Sequence, residues 1–81
     1  MARITRARMN READYLENKA AARSEAAAVD GERAAADPNN SDHTRACAAR
    51  AAQAARSHVT EYREMAAMLR AGEIPEGFRF D

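Results

Sequence analysis

Asp37-Pro38-Asn39-Asn40-Ser41 is the one strong break in an otherwise helix-forming chain, and it lies near the middle. Proline disfavours helical geometry in the residue before it and asparagine tolerates left-handed turn conformations, so these residues predict a turn at 37–41. On the near side alanine, glutamate and arginine, all strong helix formers, run from Ala2 to Ala36 with only Gly31 interrupting. This predicts one long helix over 2–36, with Gly31 the place where it could break. On the far side Ser41 or Asp42 can cap a second helix, a side-chain oxygen accepting from an otherwise unpaired amide. That helix should run over 42–71, because Arg70 suits its last turn, Gly72 is placed for a left-handed cap and Pro75 follows. Residues 72–81 then make a short extended tail, in which the alternation Phe78-Arg79-Phe80 puts both rings on one side. The expected fold is all-α: a single domain over 1–81, built as an antiparallel, alanine-rich, coiled-coil-like hairpin of two helices.

At 100° per residue the second helix collects Cys47, Ala48, Ala51, Ala54, Ala55, His58, Val59, Tyr62, Met65, Ala66 and Leu69 on one arc. The first helix carries two ridges. Ile4, Tyr15, Ala22, Ala26 and Val29 form one; Met9, Ala13, Leu16, Ala20, Ala27 and Ala34 form the other. Two ridges fit either two neighbours, the second helix and another chain, or a single face that bends or rotates. Folding about Asn39 pairs residues whose numbers sum to about 78. Acids of the first helix then level with arginines of the second as Asp14 with Arg63, Glu25 with Arg56 and Glu32 with Arg45. The same register sets alanine against alanine near the turn, and Met9, Leu69, Tyr15, Tyr62 and Ile74 together at the far end. The hairpin should therefore be narrow at the turn and wide at the end that carries both termini. So small a core favours pairing, and a homodimer forming a four-helix bundle is the expected assembly.

Charge and composition exclude several classes. With 13 basic and 13 acidic side chains the formal net charge is zero, so no bulk attraction to nucleic acid or an anionic membrane operates. A lone cysteine, Cys47, excludes an intramolecular disulfide and fits a reducing compartment. No apolar run approaches the roughly 18 residues of a spanning helix. The opening Met1-Ala2-Arg3-Ile4-Thr5-Arg6 lacks the apolar stretch of a secretory signal. The expectation is a cytoplasmic protein with no membrane partner. Abundant alanine, and arginine in place of lysine everywhere but Lys19, fit a GC-rich bacterial or phage genome.

Chemistry-bearing patterns are sparse. His43 and Cys47 have ligand spacing, but zinc needs three or four ligands and His58 lies eleven residues beyond Cys47, so no metal is expected. Cys47 reads as a small buried residue in an alanine seam and His58 as a core-edge histidine. Glu61 and Glu64 fall on the outer side of the second helix, and Gly31, Gly72 and Gly77 are too isolated to form a phosphate loop. No cofactor and no catalytic activity are expected. Arg3, Arg6, Arg8 and Arg11, with no acid among residues 1–11, are the best nucleic-acid signal, although on a helix they point in several directions. The leading expectation is a non-catalytic protein–protein interaction module, such as a small phage or bacterial accessory or inhibitor protein masking a surface of a larger host complex. A structural adaptor subunit and a nucleic-acid-associated protein using the four N-terminal arginines are the alternatives. The residues expected to meet a protein partner are Ile74, Phe78, Phe80, Tyr15, Tyr62 and Leu69.

Overall fold

The structure is a computed structural model that describes residues 3–80. Its elements are α1 (Arg6–Tyr15), a π turn (Leu16–Ala20), α2 (Ala21–Ala36) and α3 (Asp42–Arg70). The first three run on as one arm, since Tyr15, Leu16, Ala20 and Ala21 at the junctions all keep right-handed helical angles. This arm packs along α3, giving an all-helical hairpin with extents of 55 × 20 × 19 Å.

The ends are set by local hydrogen bonds. The first arm starts at Arg6, later than the expected residue 2, because the Thr5 hydroxyl accepts from the Arg8 amide at 3.1 Å and stops the helix there. Of the expected extra turn, Ala2 lies outside the described residues. At the other end of the arm the Asp37 carboxylate accepts from the Asn39 amide at 2.9 Å, while Asn40 Nδ2 and Arg45 Nε donate to the last carbonyls of α2, Ala34 and Ala35. No asparagine takes a left-handed conformation; the side-chain bonds build the turn instead. Ser41 caps α3 by accepting from the Thr44 amide at 3.1 Å. Gly72 at φ +87° closes it, with the Gly72 and Glu73 amides donating to Leu69 and Met68. This paired arrangement satisfies two carbonyls that the helix end leaves open. Arg6 adds a third bond there, donating to the Arg70 carbonyl at 2.7 Å.

The covered stripe of α3 is Ala48, Ala52, Ala55, Val59, Tyr62, Met65, Ala66 and Leu69, half-buried or buried, with the heptad spacing 48, 52, 55, 59, 62, 66, 69 at its centre. That spacing is the seam of two coiled helices. The matching seam of the first arm is Met9, Ala13, Leu16 and Ala20, then Ala21, Ser24, Ala28, Gly31 and Ala35. The second run is displaced by one residue from the continuation of the first. The π turn absorbs this residue: the Ala21 amide donates to the Leu16 carbonyl five residues back. The two ridges expected from a constant 100° rotation are thus one face that rotates. Tyr15, Ala22, Ala26 and Val29 stay exposed, and Ala28 and Ala35 take the seam positions assigned to Ala27 and Ala34.

Near the turn the seam is small residues only, and a Cβ on Gly31 would lie 3.0 Å from the Ala48 carbonyl oxygen and 3.1 Å from the Ala52 Cβ. At the far end Met9, Ala13, Leu16, Ala66 and Leu69 form the core, with Ile4, Ala20, Tyr62, Met65, Phe78 and Phe80 packed on it. The apolar arc of α3 is narrower than its sequence suggests. Cys47, Ala51, Ala54 and His58 are exposed, because a single neighbouring arm covers only the central stripe.

Candidate functional site

The hairpin has two unlike flanks. Residues that immediately follow a seam position on one side, Glu17, Glu25 and Glu32 of the first arm and Arg56, Arg63 and Arg70 of α3, meet across the groove. Arg56 grips both oxygens of Glu32 at 2.7 and 3.0 Å and lies 3.8 Å from Glu25, with Arg63 at 3.7 Å from Glu25. Arg70 reaches Asp14 at 2.9 Å and Glu17 at 3.2 Å. The hydrogen bond from Arg56 holds the Glu32 carboxyl below the ordinary glutamate range, and those that Arg70 donates to Glu17 and Asp14 raise the Arg70 pKa. Of the three pairs expected from the sequence, Glu25 with Arg56 forms; Asp14 with Arg63 and Glu32 with Arg45 do not. Helical side chains lean toward their own N-terminus, so in an antiparallel pair the tips that meet belong to residues whose numbers sum higher than the backbone register.

The opposite flank carries no ion pair between the arms among the described residues. By helical spacing it presents Arg8, Glu12, Tyr15 and Lys19, then Arg23, Ala27, Asp30 and Ala34, from the first arm. From α3 it presents Cys47, Ala51, Ala54, His58, Glu61, Met65 and Met68. His58 Nδ1 lies 3.5 Å from Glu61, and its ring centroid is 6.2 Å from that of Tyr62. This open flank is where α3 keeps the part of its apolar arc that the first arm leaves wet.

The residues expected to meet a partner divide between surface and interior. Tyr15 is 50 % exposed and Ile74 51 %. Tyr62 is half-buried, and Leu69 is wholly buried in the chain's own core, so it offers no surface to another molecule. Phe78 and Phe80 are half-buried on that core with rings edge to face, centroids 4.9 Å apart, and the Arg8 guanidinium stands 5.4 Å from the Phe80 ring centre. Met68, 37 % exposed, is a surface residue that the sequence reading missed; its signal was its place three residues after Met65. Pro75 is buried, a second omission.

The four N-terminal arginines are not a set. Arg6 is bound to the Arg70 carbonyl and Arg8 stands over Phe80, while Arg3 and Arg11 are exposed. Cys47 is exposed and not in the seam, which passes through Ala48 instead; its Sγ lies 3.7 Å from His43 Nε2 and 3.4 Å from Arg50. No group of three or more metal-ligating side chains gathers among the described residues. On the charged flank near the turn a shallow open groove lies between Ala35, Ala49 and Gln53, with the Arg56–Glu32 pair at its edge. None of the described helices is long and apolar enough to cross a membrane. Compared with known protein families, with curated proteins and with solved structures, the chain matches none.

Proposed function

We propose that this chain is a non-catalytic protein-interaction module that binds through the open flank at its wide end. The observation that carries the reading is the exposure there of Tyr15 and Met68, at 50 and 37 %, beside a core made of the chain's own Met9, Leu16 and Leu69. Large apolar side chains gathered on one surface stabilise a complex by leaving water, and aromatic anchors commonly dominate such contacts. Charge supports the same reading: three of the five α3 arginines, Arg56, Arg63 and Arg70, are engaged by acids of the first arm. An inhibitor that masks a surface of a larger bacterial or phage-host complex belongs to this class, as does an adaptor within an assembly. Pairing of two hairpins into a four-helix bundle is another form of it.

The test is capture from a bacterial lysate by the immobilised chain, beside the variant carrying both Tyr15→Glu and Met68→Glu. Both changes fall on exposed positions, so helix content by circular dichroism should be kept while the retained protein is lost. Retention unchanged in the double variant would place the binding surface elsewhere and overturn the reading.

A further inference from the structure

We infer that the occupant of the open flank is a second copy of this chain, related by a two-fold axis parallel to the hairpin, with both wide ends at the same end of the bundle. This rests on the interaction reading above and names its partner.

Area argues for a large partner surface. The chain exposes 5868 Å² at a mass of 8.9 kDa, where a compact monomer of that mass exposes about 4,800 Å². The excess, about 1,000 Å², is on the scale of the ~800 Å² that each member of a stable pair contributes. The excess also has a place, because the uncovered part of the α3 arc, Ala51, Ala54 and Met68 with half-buried Met65, lies on one flank.

Complementarity argues that this partner is the chain itself. A two-fold axis along the hairpin lays the first arm of each copy over α3 of the other at equal distance from the turn. The register in which Gly31 meets Ala48 and Ala52 then sets Ala27 against the partner's Ala54, where both backbones can approach closely, and Tyr15 against the partner's Met65. Lys19, which has no ion pair among the described residues, comes level with the partner's Glu61. Opposite charges face each other, the taper of one hairpin follows that of the other, and every neighbouring pair of helices is antiparallel, as in an up-down four-helix bundle. The reverse arrangement, wide end to turn, lays the first arms over each other and brings Lys19 beside the partner's Arg23.

The experiment is light scattering coupled to size exclusion on the full chain and two single variants. Ala54→Arg lies on the proposed contact, and Ala26→Arg on the exposed outer face of the first arm; both keep a strong helix former. Expected are a mass twice 8.9 kDa for the wild type and for Ala26→Arg, and a twofold lower mass for Ala54→Arg with its helical circular dichroism intact. If Ala54→Arg fails to fold, Lys19→Glu replaces it. That variant should weaken the dimer, and adding Glu61→Lys should restore it. A wild-type monomer at 100-micromolar-scale concentration overturns the second copy, while capture that depends on Tyr15 and Met68 would still stand and keep the interaction reading. A dimer unmoved by Ala54→Arg, or by Lys19→Glu, overturns the face.

Discussion

Arg56 and Glu32 are joined by two hydrogen bonds of 2.7 and 3.0 Å, although matching of backbone levels assigns Glu32 to Arg45. The offset follows from both side chains leaning back along their own helices. The pair therefore lies several residues off the backbone register, which the close approach of Gly31 to Ala48 and Ala52 sets directly.

Exchange of the two charges checks this pairing. Arg56→Glu alone should lower the melting temperature, and the double change Arg56→Glu with Glu32→Arg should recover most of the loss. Thermal unfolding of the double-mutant cycle measures it, and an absence of recovery would refute the pairing.

Acid should loosen the same contact. The Glu32 carboxyl titrates below its unfolded value because Arg56 donates to it. Its contribution is therefore present above the unfolded pKa of about 4.3 and is lost as pH falls through the lower folded value. Melting temperature recorded from about pH 5 down to about pH 3 should fall more steeply in the wild type than in Glu32→Gln. Added salt should shrink the difference, since both groups are exposed. Parallel curves would show that the bond contributes nothing to stability.

Removal of one residue from the π turn should be tolerated. With Asn18 deleted, Leu16–Ala20 loses its surplus residue and the first arm can run as one α-helix with its two seam segments in a single heptad phase. Helical circular dichroism per residue should rise, and the melting temperature should hold or increase by a few degrees. A marked fall would mean that the five-residue turn is itself a stabilising feature.

Gly31 tests the narrow end. In an open helix Gly→Ala stabilises by about 1 kcal/mol. Here the new methyl would press on the Ala48 carbonyl and the Ala52 methyl at 3.0 and 3.1 Å, neither of which can swing aside. Separation of the arms should outweigh the helix gain, leaving Gly31→Ala destabilised by about 1 kcal/mol in chemical unfolding. A stabilised variant would show that the arms have slack there.

Much of the hairpin is legible in the chain because its signals are local. Pro38, the Ser41 cap and Gly72 each act within a few residues, and the turn and both ends of α3 follow from them. The rotation of the first arm is not legible. A single surplus residue leaves composition and propensity unchanged and shows only as two ridges, which a second partner would also produce. The wide end divides for a similar reason: Tyr15 and Leu69 are both large and apolar, and only the phase of the seam decides that one is exposed and the other buried. The role of Arg8 depends on where residues 73–80 return, and that of Arg6 on its reach to the Arg70 carbonyl, neither of which periodicity encodes.

The alanine seam beside the turn has a kinetic consequence. Contacts such as Gly31 with Ala48 close a short loop, whereas Met9 with Leu69 closes nearly the whole chain. The first arm and α3 should zip outward from Asn40 through contacts that individually contribute little, and the methionine–leucine core should form last. Refolding is then committed before the two ends of the chain meet, so substitutions at Leu69 should act mainly on how fast the hairpin opens, and those near Gly31 on how fast it closes.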